Sequence, residues 1–340
     1  MKKIHVNTFM VLWLTKLFIS TAHAQTIPFA KGADVSWLPQ MEATGYQFKN
    51  TNGQSEDCLE IIKGLGMNSI RLRVFVNPDN DKASGHCGKE ETVQMAIRAK
   101  AIGFRVMIDF HYSDSWADPS KQNKPKAWAN HSFSELLNDV YEHTFDVINA
   151  LKKANVTPDW VQIGNEIPSG FLWPDGSTNN WHQLGQLLNK GYDAVKSVDS
   201  SIKVIVHIDE GHNFNKSSYF FEHTTQEHVK FDIIGLSYYP FWVKKDYTET
   251  IDDLSKNMNQ LAKKYNKEIM IVEVGGEVSK IENTYKLLEA TIKAARNIPN
   301  NKGMGVFYWE PEGEESWSQY SLNAWLKNGQ PSPALNAFKK

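Results

Sequence analysis

Cysteine is nearly absent from this chain. It has two in 340 residues, Cys58 and Cys87, and neither belongs to a Cys-x-x-Cys pair or a metal-ligand spacing with histidine. A zinc or iron–sulfur centre is therefore not expected, and the reading includes no metal and no cofactor. An excess of charge of one sign is missing too. The formal net charge is −2, with no long basic run, which argues against electrostatic binding to nucleic acid and against a polybasic membrane anchor. Past the N-terminus no apolar run approaches membrane-spanning length, and no low-complexity tract or linker interrupts the chain. There is no glycine-rich phosphate turn after the first predicted strand, which counts against a doubly wound nucleotide-binding sheet.

What is present begins with a leader. Lys2 and Lys3 precede a mostly apolar stretch from Phe9 to Ile19, and Ala22-His23-Ala24 supplies a small-x-small cleavage site. Residues 1–24 thus read as a secretory signal peptide and residues 25–340 as the mature protein, exported to the periplasm, the cell surface or the medium. In such an oxidising setting a Cys58–Cys87 disulfide would close a loop of about 30 residues and add roughly 3 kcal/mol. Two free thiols are the alternative.

Apolar, β-branched runs alternate with helical periodicity along the whole mature chain. The runs predict strands at Gly32–Ser36, Ser69–Phe75, Arg105–Phe110 and Trp160–Asn165, then at Lys203–Ile208, Phe231–Ser237, Glu268–Glu273 and Gly305–Trp309. Helical stretches fall between them, with a short one near Pro333–Phe338 at the end. Eight strands in strict alternation with eight helices, several strands almost continuously apolar, predict a single α/β domain closed as a (β/α)8 barrel. The irregular stretches, such as Tyr112–Asn130 and Ile167–Asn180, all follow strands, which puts them on one face of that barrel.

Two glutamates mark that face. Glu166 closes Trp-Val-Gln-Ile-Gly-Asn-Glu on the fourth predicted strand, and Glu273 closes Glu-Ile-Met-Ile-Val-Glu on the seventh. Two carboxylates meeting at strand tips are the equipment of a glycosidase, one as acid/base and the other as nucleophile. Other tips carry polar or aromatic groups. Arg71 and Arg73 alternate on strand two, so both face one side. Asp109 and His111 share a face on strand three, His207 ends strand five, and Tyr238 and Tyr239 follow strand six. Asn165 is a candidate donor to a sugar hydroxyl. Trp116, Trp242 and Trp309 lie in or beside the loops, where aromatic faces can stack on sugar rings.

The stretch Asp109–Pro119 followed by Pro125–Trp128 resembles the endo-β-1,4-galactanases of glycoside hydrolase family 53. So do Gly32–Ser36, Arg71–Val74, Gln162–Glu166, Ser237–Trp242 and Tyr308–Pro311. The resemblance covers essentially the whole mature chain. It implies a retaining barrel glycosidase, with Glu166 as acid/base and Glu273 as nucleophile. It also implies hydrolysis of internal β-1,4 links in galactan or type I arabinogalactan. The substrate-binding set expected around them is Asp34, Arg73, Asp109, His111, Trp116 and Asn165, with His207, Tyr238, Tyr239, Trp242 and Trp309; Arg73 and a strand-six tyrosine are expected nearest the nucleophile. A monomer acting on a polysaccharide is expected. Two departures stand out. Glu273 is followed by Val-Gly-Gly-Glu rather than a Thr/Ser/Tyr-rich continuation, and the last loop, Glu310–Tyr320, is short where some members carry a calcium-binding insertion. The rival readings are a barrel mannanase or glucanase, and a non-catalytic glycan-binding barrel.

Overall fold

A computed structural model describes residues 28–79 and 86–340; the expected signal peptide, residues 1–24, lies outside the described residues. Strands β1 (Ala30–Asp34), β2 (Ser69–Val74), β3 (Arg105–Phe110) and β4 (Trp160–Ile163) are followed by β5 (Lys203–Ile208), β6 (Ile233–Tyr238), β7 (Glu268–Val274) and β8 (Gly303–Trp309). They pair in parallel in chain order, and β8 closes on β1. This is the expected (β/α)8 barrel.

Helix α1 (Leu38–Ala43) lies in the first βα-loop, and α2 (Cys58–Gly64), α3 (Lys89–Ile102), α4 (Phe133–Lys153) and α5 (Trp181–Val198) ring the barrel. The ring continues with α6 (Phe214–Gln226), α7 (Ile251–Lys264) and α8 (Ile281–Arg296), while α9 (Glu315–Ser318) sits in the last βα-loop. Local chemistry sets several helix starts. Ser132 and Glu135 form a capping box at the start of α4, and Asp57, Asn180 and Asn213 cap α2, α5 and α6 by accepting first-turn amides. The last predicted helix is instead a 3₁₀ segment, Pro333–Lys339.

Side chains alternate across each strand. On β2, Ile70, Leu72 and Val74 face the helices and join the outer apolar layer, while Arg71 and Arg73 face inward. Below them the barrel is filled by Met107, Trp160, Ile205, Met270 and Phe307, among others. Gly32 makes room for this plug: a Cβ there would stand 2.2 Å from Phe307 Cδ1.

Two local departures from regular strand geometry position the chemistry. Strand β4 stops at Ile163, shorter than its apolar run predicts, because Gly164 (φ 79°) turns the chain and Glu166 itself adopts φ 45°. A register shift between Leu236 and Ser237 on the β6 side, matched by one between Ile271 and Val274 against β8, marks a bulge at the top of β7. Met270 and Val272 fill the barrel interior, so strict alternation would turn Glu273 outward; the bulge turns it in and leaves Val274 in the outer layer.

Both cysteines are buried free thiols. Cys58, the first residue of α2, packs in the outer apolar layer, and Cys87 Sγ lies 3.7 Å from the Ser36 carbonyl. The alternative of two thiols describes them.

Candidate active site

At the mouth of the barrel lies a cleft of about 720 Å³ whose walls include both Glu166 and Glu273. Beneath it is a buried charge cluster centred on Arg71. One guanidinium nitrogen, Nη1, donates to Asp34 Oδ2 at 2.7 Å. The other, Nη2, is crowded by four oxygens: Asp109 Oδ2 at 2.8 Å, Asn165 Oδ1 at 2.9 Å, Glu273 Oε1 at 3.0 Å and Gln162 Oε1 at 3.3 Å. Three carboxylates from β1, β3 and β7 thus share one cation with no water-exposed surface of its own. Buried charges persist only when paired in this way.

The two cleft glutamates are held differently. Burial pushes the Glu273 carboxyl up to about 7, against the pull of Arg71 and with the push of Asp109 and Asp34. Tyr239 steadies its charged form, donating to Oε2 at 3.2 Å. Among the described residues no such cation contacts Glu166. Burial and then the neighbouring Glu273 charge raise it well above the ordinary glutamate value. Arg71 and Tyr239 both favour the charged form of Glu273, whereas burial and the Glu273 charge both favour the protonated form of Glu166. A carboxylic acid beside a carboxylate is the division of labour that glycosidic cleavage needs.

Histidines brace this pair. His207 is fully buried, and its burial holds it well below the ordinary imidazole value, hence neutral. Its Nδ1 lies 3.2 Å from the Glu166 amide and its Nε2 2.8 Å from Ser237 Oγ. In the tautomer that accepts the Glu166 amide, Nε2–H donates to Ser237, whose own hydroxyl is then free to bond the Glu166 carboxyl. His111 accepts the Ala117 amide at Nδ1 (2.9 Å) and donates from Nε2 to Asp109 (2.9 Å). Both its nitrogens are spent on the protein.

The cleft is walled by aromatic rings. Trp37, Trp116 and Trp309 pack with centroids 5.2–6.2 Å apart, and Tyr320 meets Trp309 edge-on at 4.8 Å. On the opposite rim Trp242 stands 63% exposed beside the cleft.

The sequence profile of glycosyl hydrolase family 53 matches residues 30–338. The chain belongs to that family. It is 34% identical over 337 residues to an arabinogalactan endo-β-1,4-galactanase of Thermothelomyces thermophilus, spanning 91% of this chain and 98% of the relative. To the endo-β-1,4-galactanase of Bacillus subtilis (strain 168) it is 34% identical over 320 residues, 87% of this chain and 72% of the other. Its fold superposes on the Ignisphaera aggregans family 53 catalytic domain with a TM-score of 0.85 at 33% identity, covering 93% of this chain and 97% of that one.

Within this family 53 barrel the expected site residues divide into three groups. Glu166, Glu273, His111, Trp116, Asn165, Tyr239, Trp242 and Trp309 line the cleft. Asp34, Asp109 and His207 do not reach it; all three are fully buried, Asp109 and His207 bonded to the cleft residues His111 and Ser237 and Asp34 to Arg71 beneath the cleft. Arg73 and Tyr238 are placed elsewhere. Arg73 pairs with Glu310 and lies 3.7 Å from Asp34 Oδ1, under the rings of Trp37 and Trp309, and Arg71 holds the place beside Glu273 expected of it. Tyr238 faces the helices, its hydroxyl 2.9 Å from Thr250 Oγ1, because neighbours on a strand point to opposite sides and Tyr239 takes the inner one. Gln162, Ser237 and Tyr320 join the site without being among the expected site residues. Gln162 alone carried a signal, lying four residues before Glu166 on the inner face of β4. Among the described residues, no group of three or more His, Cys, Asp or Glu side chains is arranged to hold a metal ion.

Proposed function

We propose that this enzyme hydrolyses internal β-1,4-galactosidic bonds of galactan or type I arabinogalactan by a retaining double displacement. Glu273 attacks the anomeric carbon while Glu166 gives its proton to the departing oxygen. A galactosyl–enzyme ester and a shortened chain result. Glu166, now a carboxylate, takes a proton from water as that water attacks the ester, and Glu273 is released. The observation that carries the reading is the unequal environment of the two carboxyls. Arg71 and Tyr239 sit on Glu273, and among the described residues no cation touches Glu166.

Asn165 lines the cleft with its Oδ1 held by Arg71 and one amide hydrogen on the Ala117 carbonyl. Its second amide hydrogen suits a sugar hydroxyl next to the bond cleaved. Trp116, Trp309 and Trp242 offer faces for successive rings. The choice of galactan rests on the named activities of the relatives.

Reducing-sugar release from galactan, mannan and cellulose tests the substrate; cleavage of mannan or cellulose alone would overturn it. ¹H NMR of the first product anomer tests retention, and initial appearance of the inverted anomer would refute the ester. Replacing Glu273 with Gln should cut turnover by more than about a thousandfold. Residues 1–24 are proposed to be removed on export, leaving a monomer that begins at Gln25. N-terminal sequencing of the exported protein and its mass in solution check both points.

A further inference from the structure

Strand β5 runs out into Asp209-Glu210-Gly211, and this turn is more firmly built than a plain connection to α6 needs. Glu210 adopts φ 48°, the left-handed region that favours glycine. A glycine follows at once, so the chain sets a glutamate where glycine would be at ease; backbone held this way collects at functional positions. The turn is pinned to its neighbours. The Gly211 amide donates to the Ser237 carbonyl at 2.7 Å, and its own carbonyl accepts from Asn257 Nδ2 at 2.7 Å. The Glu210 carboxylate is clamped on both oxygens. Oε2 accepts from Asn213 Nδ2 at 2.9 Å and Oε1 from Lys216 Nζ at 3.0 Å. Lys216 also donates to Asp209 Oδ2 at 2.6 Å.

This clamped group faces the cleft. Glu210 lines it, with 35% of its side-chain surface open. Burial would raise its carboxyl, but the bonds from Asn213 and Lys216 outweigh burial and hold it below the ordinary glutamate value. Each clamped oxygen keeps a further lone pair for another donor. Its place in the cleft is set by β5 lying next to β4. His207, three residues before Glu210, meets the Glu166 amide, whereas Glu273 and Trp309 stand on β7 and β8. The proton donor must touch the departing oxygen, so the sugar that leaves occupies the half of the cleft holding Glu166. Trp242, which follows β6, stands in the same half.

We propose that Glu210 is a substrate-binding residue for the leaving sugar, its carboxylate accepting the neighbouring C2 and C3 hydroxyls of the ring whose O4 departs. Lys216 and Asn213 fix the carboxylate in advance, and Trp242 offers a face to the same ring. The inference rests on Glu166 being the acid, as proposed above.

Glu210→Ala removes the acceptor, and Glu210→Gln keeps its size and removes the charge; unfolding curves check that both variants fold. On galactan, kcat/KM should fall about ten- to fiftyfold in the alanine variant and about three- to tenfold in the glutamine variant. On 4-nitrophenyl β-1,4-galactobioside, which puts a phenol where the leaving sugar would lie, both should stay within about twofold of wild type. The same substrate tests recognition directly. With galactobiose added, a sugar hydroxyl can attack the galactosyl–enzyme ester in place of water, passing its proton to Glu166 as Glu273 is released. The fraction transferred should drop at least about fivefold in Glu210→Ala. Equal losses on galactan and the aryl substrate, or an unchanged transferred fraction, would overturn the role of Glu210. A wild type that cut only mannan or cellulose would strike the galactan reading alone, because the same comparison on that glycan and its aryl bioside still judges Glu210.

Discussion

Arg71 and Arg73 stand two residues apart on β2, both turned inward and both without exposed surface, yet they belong to different parts of the molecule. Arg71 lies level with the bulge that turns Glu273 inward, and its partners Asp109, Asn165 and Glu273 come from the strands that build the cleft. Arg73 lies one step nearer the mouth but is roofed by tryptophans. Its Nε and Nη2 have no hydrogen-bond acceptor among the described residues, and the guanidinium sits 5.6–6.0 Å from the rings of Trp37, Phe75 and Trp309. Its partner Glu310 accepts the Trp37 amide, and the Glu310 charge, second to burial, raises the carboxyl of Glu312. Asp34 is common to both cations. A charged side chain on the inner face of a barrel strand is therefore not thereby a site residue: its level along the strand and what closes over it decide.

Substitution of the two arginines is the sharpest test of that difference. Arg71→Met should strip Asp34, Asp109 and Glu273 of their cation, destabilising the fold by about 3–5 kcal/mol. It should also lower kcat of the folded fraction by at least about a hundredfold, as followed by chemical unfolding and by initial rates on galactan. Arg73→Met should cost comparable stability, because Glu310 is left buried and unpaired, while kcat per folded molecule stays within about tenfold. An equal loss of kcat from both would erase the distinction.

The acids around Arg73 give a smaller effect. Glu312 is buried with no cation paired to it among the described residues, and burial followed by the Glu310 charge holds it well above the ordinary glutamate value. Folded, it keeps a proton that the unfolded chain releases above about pH 4.3. From there up to its raised folded value the unfolded state binds fewer protons, so folded stability falls as pH rises. Glu312→Gln ionises in neither state. Its Tm should drop less than that of wild type between about pH 5 and about pH 8, and a steeper drop in the variant would mean that Glu312 is charged. The smallest effect belongs to the exposed rim. Trp242→Ala should leave stability within about 0.5 kcal/mol and raise KM for galactan about threefold to tenfold, the worth of one stacked ring, with kcat little changed.

The barrel was legible in the sequence because each strand is an apolar run and each helix carries its own period, and all eight strands begin within two residues of their expected starts. Glu166 and Glu273 were legible as strand-tip carboxylates. Which arginine serves Glu273 was not, since alternation gives Arg71 and Arg73 the same face and says nothing of level. Tyr238 and Tyr239 could not both point inward; alternation along β6 from the interior Ile233 turns Tyr239 in, but which parity faces the interior is not written in an almost wholly apolar strand. Tyr320 was illegible for another reason. It lies 81 residues beyond Tyr239 in the chain, and only the closure of β8 onto β1 brings the last loop over the cleft.

The Arg71 cluster also bears on how the chain assembles. Its partners are spread over β1, β3, β4 and β7, and a one-residue slip of any of these strands would turn the partner's side chain to the helix side. A half-built barrel of β1 to β3 would bring Asp34 and Asp109 to Arg71 but leave the cation open to water where β4 and β7 belong. The charges thus become properly housed only when the ring is closed in a single alignment. Misaligned compact states are penalised by several kcal/mol for each stranded ion, so the same guanidinium that steadies Glu273 also serves as a proofreading element during folding.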